Sequence, residues 1–168
     1  FIAKAMAELE EILRNSLRFV GFSPQKLQKT TQEINPFVRQ IKDKFANVLA
    51  SQGKQISLRC YCDPKLDGLR LNFDQMTLET CILDLLQNAA EALDAKDDGE
   101  KKTIKIRTKR VPKLQQAMIM VEDNYRIDAQ IVDTVFMPFT TTKPDGTGLG
   151  LYNAYMIVQA HGGKINLF

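Results

Sequence analysis

In this 168-residue sequence, the residues best suited to chemistry end in an alternation of glycines. Phe136-Met137-Pro138-Phe139-Thr140-Thr141-Thr142-Lys143 leads through Pro144 and Asp145 into Gly146-Thr147-Gly148-Leu149-Gly150-Leu151. Glycines in alternation let a backbone come close to a ligand and present consecutive N–H groups. A helix is expected to start at this point. Its unpaired N–H groups and positive dipole end favour an anion such as a phosphate. Lys143 adds a point charge and Thr147 a hydroxyl. A bare Gly-x-Gly-x-Gly is equally a flexible turn, and the aromatic and Thr-Thr-Lys lead-in makes this one specific.

Two weaker signals precede it. Asp84, Asn88 and Glu91 stand at i, i+4 and i+7, one side of a helix. A carboxamide and a carboxylate one turn apart can offer oxygens to Mg²⁺, which keeps waters and takes its other ligands from phosphates. Taken alone, such residues are usually only the wet face of an amphipathic helix. Met118 to Asp123 is an apolar run that ends on acids. An acid at the end of a buried strand can accept a hydrogen bond from a ligand amine, adenine's included, and is equally a turn-forming Asp.

Periodicity predicts the elements that must hold these residues. Ile2, Met6, Leu9, Ile12, Leu13, Leu17 and Val20 form the stripe of a helix over residues 3–20, stopped by Gly21, Ser23 and Pro24. After a short polar linker, Asn35 reads as an N-cap with Pro36 at the first helical position; Phe37, Ile41, Phe45 and Val48 or Leu49 form the buried side, and Gly53 closes the helix. Residues 55–61 alternate as a strand with Ile56, Leu58 and Cys60 on one face. Leu69–Phe73 is a short strand, after which Asp74 caps a helix from about Gln75 to Leu93. Thr103–Arg110 and Ala117–Glu122 are strands joined by a turn at Pro112. Ile127–Val135 suggests a short helix, a helix follows from Thr147 to about Ala160, His161-Gly162-Gly163 ends it, and Lys164–Phe168 begins another strand.

Composition agrees with an ordinary globular domain: 44% apolar, 26% charged, net charge +3. No apolar run approaches the roughly 20 residues that span a bilayer. The first residues are charged and amphipathic, unlike a signal peptide. Basic residues from Lys101 to Arg110 alternate with apolar ones and read as a solvated strand face, so nucleic acid is not an expected partner. Cys60-Tyr61-Cys62 has no second pair to build a zinc site, and reads as two small core or half-core residues with reduced thiols. Beginning at Phe1 and stopping at Phe168, the chain is expected to be a fragment of a longer protein.

The order Asn88, Asp123, Phe136-Met137-Pro138-Phe139 and then the glycine loop resembles the N, G1, F and G2 boxes of the sensor histidine kinase catalytic domain. That domain belongs to the ATPase group of gyrase B, Hsp90 and MutL. Leu85–Ala92 and Ile157–Ile165 are similar to the corresponding runs of bacterial kinases. The resemblance implies an α/β (α+β) two-layer sandwich, a mixed sheet backed by helices, over residues 31–168 and short of its C-terminal strand. Residues 1–30 would be the end of a dimerisation helix and a linker. ATP and Mg²⁺ are the implied cofactors, with ATP between the long helix and a lid around residues 137–147. Asn88 would hold Mg²⁺, and Asp84 would contact metal or water. Asp123 would bind the adenine amine, and Gly146, Gly148 and Gly150 would cradle the phosphates together with Lys143 and Thr147. Leu149 and Leu151 would pack the loop, and Phe136 and Phe139 the lid.

The G1 box departs from the family pattern. Asp123-Asn124-Tyr125-Arg126-Ile127 lacks both of its glycines, so either Arg126 supplies a new phosphate or ribose contact or the pocket is narrowed. The only histidine, His161, lies in a helix-ending His-Gly-Gly, which leaves the phosphoacceptor outside this chain. The implied activity is donation of the ATP γ-phosphoryl group to a histidine on an upstream dimerisation helix. The implied partners are that helix in the same or a partner chain, a response regulator receiver domain and a second copy, in the cytoplasm, with a membrane anchor elsewhere left open. The alternative is a degenerate kinase-like module that acts through protein contacts.

Overall fold

The computed structural model describes residues 27–94, 99–114, 116–125, 131–143 and 146–168. The expected helix over residues 3–20, and Arg126, lie outside the described residues. The chain divides into two compact units, Lys29–Arg126 and Ile127–Phe168 with Phe1–Gln28.

In the first unit, β1 (Thr30–Glu33) runs into α1 (Ile34–Ser51), followed by β2 (Ser57–Tyr61), β3 (Arg70–Phe73), α2 (Gln75–Asp94), β4 (Thr103–Val111) and β5 (Gln116–Asp123). β1 and β3 form an antiparallel ladder, and β2, β4 and β5 a mixed sheet in that order, with β2 parallel to β4 and β4 antiparallel to β5. Helices backing a mixed sheet make the α/β sandwich. β4 shows why the layers form: Ile104, Ile106 and Thr108 alternate into the buried face, while Arg107 on the other face lies 4.8 Å over the Tyr61 ring. Against the buried face pack Phe37, Val38, Ile41, Phe45 and Leu49 of α1 and Ile82, Leu86, Ala89 and Leu93 of α2. Each large one contributes about 1.5–3 kcal/mol by leaving water. No helix among the described residues is long and apolar enough to cross a membrane.

Both ends of the helices follow local chemistry. Asp74 Oδ1 accepts from Thr77 N at 2.9 Å and starts α2. At the end of α1, Gly53 takes φ 66° and Lys54 N donates to Leu49 O at 3.0 Å, the left-handed stop that favours glycine.

Two expectations change in this unit. The linker before α1 is partly strand: Thr30–Glu33 pairs with Arg70–Phe73. Asn35 does not cap α1, which begins at Ile34, two residues before the expected start at Pro36, with no side-chain cap. Its amide is fully buried and turned inward, donating to Asp63 O at 2.9 Å and Asp67 Oδ1 at 2.7 Å and accepting from Thr108 Oγ1 at 2.7 Å. Pro36 still sits in the first turn, where its missing N–H costs nothing. Asp63 extends this network. The backbone N–H groups of Arg110 and Lys65, at 2.9 and 3.0 Å, hold its carboxyl below the usual carboxylate value.

In the second unit, residues 131–136 form turns where a short helix was expected, and the rest of that expected helix lies outside the described residues. α3 (Gly150–Ala160) follows the glycines. It ends at His161, with Gly162 at φ 76° and Gly163 N donating to Val158 O at 2.9 Å. Residues 164–168 pair with no strand among the described residues, so the expected final strand is not formed.

Candidate functional site

In the first unit the candidate residues sit on α2 and at the end of β5. α2 buries Ile82, Leu86, Ala89 and Leu93, which turns Asp84, Asn88 and Glu91 to its half-buried flank. Glu91 is already engaged, accepting from Gln87 Nε2 at 2.7 Å. Asp84 stands near enough to Cys81 for its negative charge, after burial, to raise that thiol to about 12. The Asn88 amide has no hydrogen-bond partner among the described residues. A half-buried carboxamide oxygen is a hard donor that suits Mg²⁺. Among the described residues no group of three or more His, Cys, Asp or Glu stands ready to cage a metal.

Asp123 ends β5 and does the turn's work, with Oδ1 accepting from Tyr125 N at 2.7 Å. The strand-end crowding raises its carboxyl above the usual value, and the Tyr125 N–H opposes that shift. The residue as a whole is exposed, while its carboxyl is partly desolvated. One carboxylate oxygen is used by the turn, and the other is available to an amine donor. The two readings of Asp123 from sequence, turn former and amine acceptor, are therefore compatible. Asn124, which sequence reasoning passed over, ties the base of this corner: its Oδ1 accepts from Thr103 N at 2.9 Å and its Nδ2 donates to Lys101 O at 3.1 Å. The signal was available, because asparagine favours such local backbone bonds.

The second unit carries the glycine loop. Gly148 has φ 64° and Phe139, facing it, has φ 65°. Phe139 N donates to Gly148 O at 3.0 Å. A Cβ on Gly148 would collide with the Phe139 carbonyl carbon and stand 2.6 Å from Thr140 N. The room that a missing side chain leaves at Gly148, expected for a ligand, is thus taken by the chain's own lead-in segment. Gly146 is similar but softer: a Cβ there would collide with Thr141 Oγ1 and lie 3.1 Å from Lys143 Cβ. Thr141, in the Thr-Thr-Lys lead-in, shapes this turn. Its Oγ1 accepts from Lys143 N at 3.1 Å, and Gly146 N donates to Lys143 O, also at 3.1 Å.

Leu149 is buried and Leu151 and Thr147 half-buried, so the loop is anchored by the leucines between its glycines. Leu149 occupies the N-cap position of α3 and offers no side-chain cap, which leaves the dipole end of the helix without an oxygen from that position. Phe136 is half-buried, 6.4 Å from the Tyr155 ring. Phe139 is 76% exposed, so its packing in this unit is through backbone, not through the ring. The ring of Tyr155 also stacks 6.4 Å from Tyr152 along α3. At the far end of α3, His161 Nδ1 lies 2.8 Å from Ile157 O, a structural position in the helix stop.

These residues align with known proteins. Residues 73–167 match the family described as histidine kinase-, DNA gyrase B- and HSP90-like ATPase. The chain is 33% identical over 155 residues to the sensory histidine kinase/phosphatase NtrB of Vibrio alginolyticus, covering 86% of this chain and 42% of that protein. It is 29% identical over 159 residues to the signal transduction histidine-protein kinase AtoS of Escherichia coli (strain K12), covering 83% of this chain and 25% of that protein. The chain therefore spans less than half the length of these relatives. A solved catalytic domain of histidine kinase ThkA, nucleotide free, superposes with TM-score 0.64 at 27% identity, covering 83% of this chain and 87% of that one. The family match spans Asn88, Asp123 and the glycine loop, and together the matches place the chain in the histidine kinase-, DNA gyrase B- and HSP90-like ATPase family, as a catalytic ATP-binding domain of the sensor histidine kinase kind.

Proposed function

We propose that the chain binds Mg·ATP and gives the γ-phosphoryl group to a histidine on an upstream dimerisation helix, in its own or a partner chain. The observation that carries this reading is the glycine loop: a left-handed Gly148 locked against Phe139 and running straight into α3, whose N-terminus has no side-chain cap. Such a helix start is a ready anion site. Asn88 is the candidate Mg²⁺ ligand and Asp123 the candidate acceptor for the adenine amine. Gly146, Thr147, Gly148, Gly150 and Lys143 are the candidate phosphate contacts, and Asp84 a water or metal contact. Bound Mg²⁺ would neutralise charge on the phosphates. The protein's part is to orient them and to exclude water, since such transfers depend on positioning and charge stabilisation. A response regulator receiver domain as the next acceptor, a homodimeric full-length protein and a cytoplasmic setting belong to the same proposal, by analogy with the sensor kinases that the chain resembles.

Titration with a non-hydrolysable ATP analogue and Mg²⁺ tests it. Melting temperature should rise, and Asn88→Ala should leave a rise that no longer depends on Mg²⁺. No rise at millimolar nucleotide would favour a degenerate module acting through protein contacts, which the absent G1 glycines allow.

Asp123 supplies a second test with a sign. Its folded value is raised, so the stability linked to its protonation is present below the unfolded value of 3.8 and is lost as pH rises through the folded value. Asp123→Asn should escape that loss, gaining on wild type as pH rises across this window, while binding the analogue about tenfold more weakly for want of a charged acceptor. Urea midpoints of both proteins at several pH values check the first part. A difference that stays constant with pH rejects the assigned burial.

A further inference from the structure

Among the described residues β2 is an edge strand of the mixed sheet, and Cys60 and Cys62 bring their sulfurs to 3.6 Å there. Both are half-buried thiols, Cys60 inside the strand and Cys62 one residue beyond its end, where no ladder fixes the backbone. They open onto a cleft of about 630 Å³ whose lining includes Arg39, Lys42 and Arg59 against the single acid Asp43. A pair of small core residues would need neither this opening nor this charge. A metal site is disfavoured, because no third His, Cys, Asp or Glu joins the two sulfurs among the described residues.

We propose that Cys60 and Cys62 are a dithiol modification site, which an anionic low-molecular-weight disulfide of the glutathione type enters and converts to an intrachain Cys60–Cys62 disulfide. The cleft's positive balance draws the carboxylates of such a reagent toward the two sulfurs. Burial and the neighbouring Cys62 sulfur, 3.6 Å away, push Cys60 up to about 11, so Cys60 keeps its proton. Cys62, one residue beyond the end of the ladder, can swing onto a reagent and is the attacking sulfur. Its thiolate attacks the reagent's S–S bond, forming a mixed disulfide at Cys62 and releasing one reagent thiolate. Cys60 then loses its proton to that thiolate or to water and attacks the Cys62 sulfur. The Cys60–Cys62 bond forms, and the second reagent half leaves as a thiolate that takes up a proton. Two protein thiols are oxidised and one reagent disulfide is reduced to two thiols.

Cys81 is an internal control. It is buried on α2 with its thiol raised to about 12, so it should react only when the chain unfolds. The chain is treated with oxidised glutathione, its remaining thiols are alkylated under native conditions, and peptides are weighed. The expected product links Cys60 to Cys62 with the loss of two hydrogens. Cys60→Ser should stop at the mixed disulfide on Cys62, and Cys62→Ser should react at least about tenfold more slowly. Lys42→Gln with Arg59→Gln should slow oxidised glutathione by about tenfold and leave a neutral disulfide, hydroxyethyl disulfide, unchanged. A mixed disulfide that persists in the wild-type chain, first attack at Cys60, equal slowing of both reagents, or Cys81 reacting alongside would each overturn the proposal.

Discussion

Replacing Gly148 with alanine is expected to weaken binding of an ATP analogue by about a hundredfold, through about 3 kcal/mol of lost loop geometry. Two costs add at this position. A φ of 64° is the left-handed region, which costs a residue with a Cβ roughly 1 kcal/mol or more. The new Cβ would also collide with the Phe139 carbonyl carbon and press on Thr140 N, which are backbone atoms and cannot swing aside. The Phe139 N to Gly148 O bond at 3.0 Å would have to break for the segment to move. If that locked turn is the phosphate-competent form, apparent affinity falls with the fraction of molecules still adopting it. Two controls isolate the cause. Gly146→Ala meets mainly the Thr141 side chain and should lose less, while Gly162→Ala, at φ 76° in open space, should show only the left-handed cost in stability and none in binding. Equal losses for Gly146→Ala and Gly148→Ala in a binding isotherm would remove the special role given to the Phe139 contact.

That contact also marks the boundary of what could be read from sequence. Glycines at 146, 148 and 150 announce a tight backbone, but not which neighbour comes close. At Gly148 it is the Phe139–Thr140 backbone, a pairing nine residues apart with no periodic signature. α1 and α2 were legible because Phe37, Ile41, Phe45 and Leu49, or Ile82, Leu86, Ala89 and Leu93, repeat with the helical period and bury together. β4 was legible for the same reason at period two. β1 was not: Thr30–Glu33 is polar, with Thr30 and Thr31 exposed and Gln32 and Glu33 half-buried, and it is a strand only because Arg70–Phe73 lies alongside. Lys164–Phe168 shows the converse, an alternating stretch without a partner strand among the described residues. Of the candidate site, Asp123 was legible as a turn former, its carboxylate accepting from Tyr125 N. The proximity of Cys60 and Cys62 was half visible, since i and i+2 share a strand face, yet two of the cations beside them, Arg39 and Lys42, come from α1 and could not be foreseen.

Asn35 is the position where sequence chemistry misled most, and its replacement should be correspondingly costly. Asn35→Leu is expected to destabilise the chain by about 3 kcal/mol, from one buried donor and one buried acceptor left unmet. The residue is fully buried, and each end of its amide is used. Loss of Oδ1 leaves the Thr108 hydroxyl, itself buried, without its acceptor at 2.7 Å. Loss of Nδ2 takes a donor from Asp63 O and from Asp67 Oδ1. Leucine adds apolar volume, but in a slot shaped by polar atoms it recovers little of this. Asn35→Asp discriminates further. Ionised, it would set a second carboxylate against Asp67 Oδ1 where the amide donated, and it should be worse than leucine at neutral pH. Protonated, it regains a donor, so its folded value is raised, and the stability it retains in acid is lost as pH rises through that value. Adding Thr108→Val to Asn35→Leu should return part of the loss, because the orphaned hydroxyl goes with it. Urea midpoints at constant m-value read all three. A double variant no more stable than Asn35→Leu alone, or a single variant as stable as wild type, would show that this buried network is not what joins α1, the Asp63–Asp67 turn and β4.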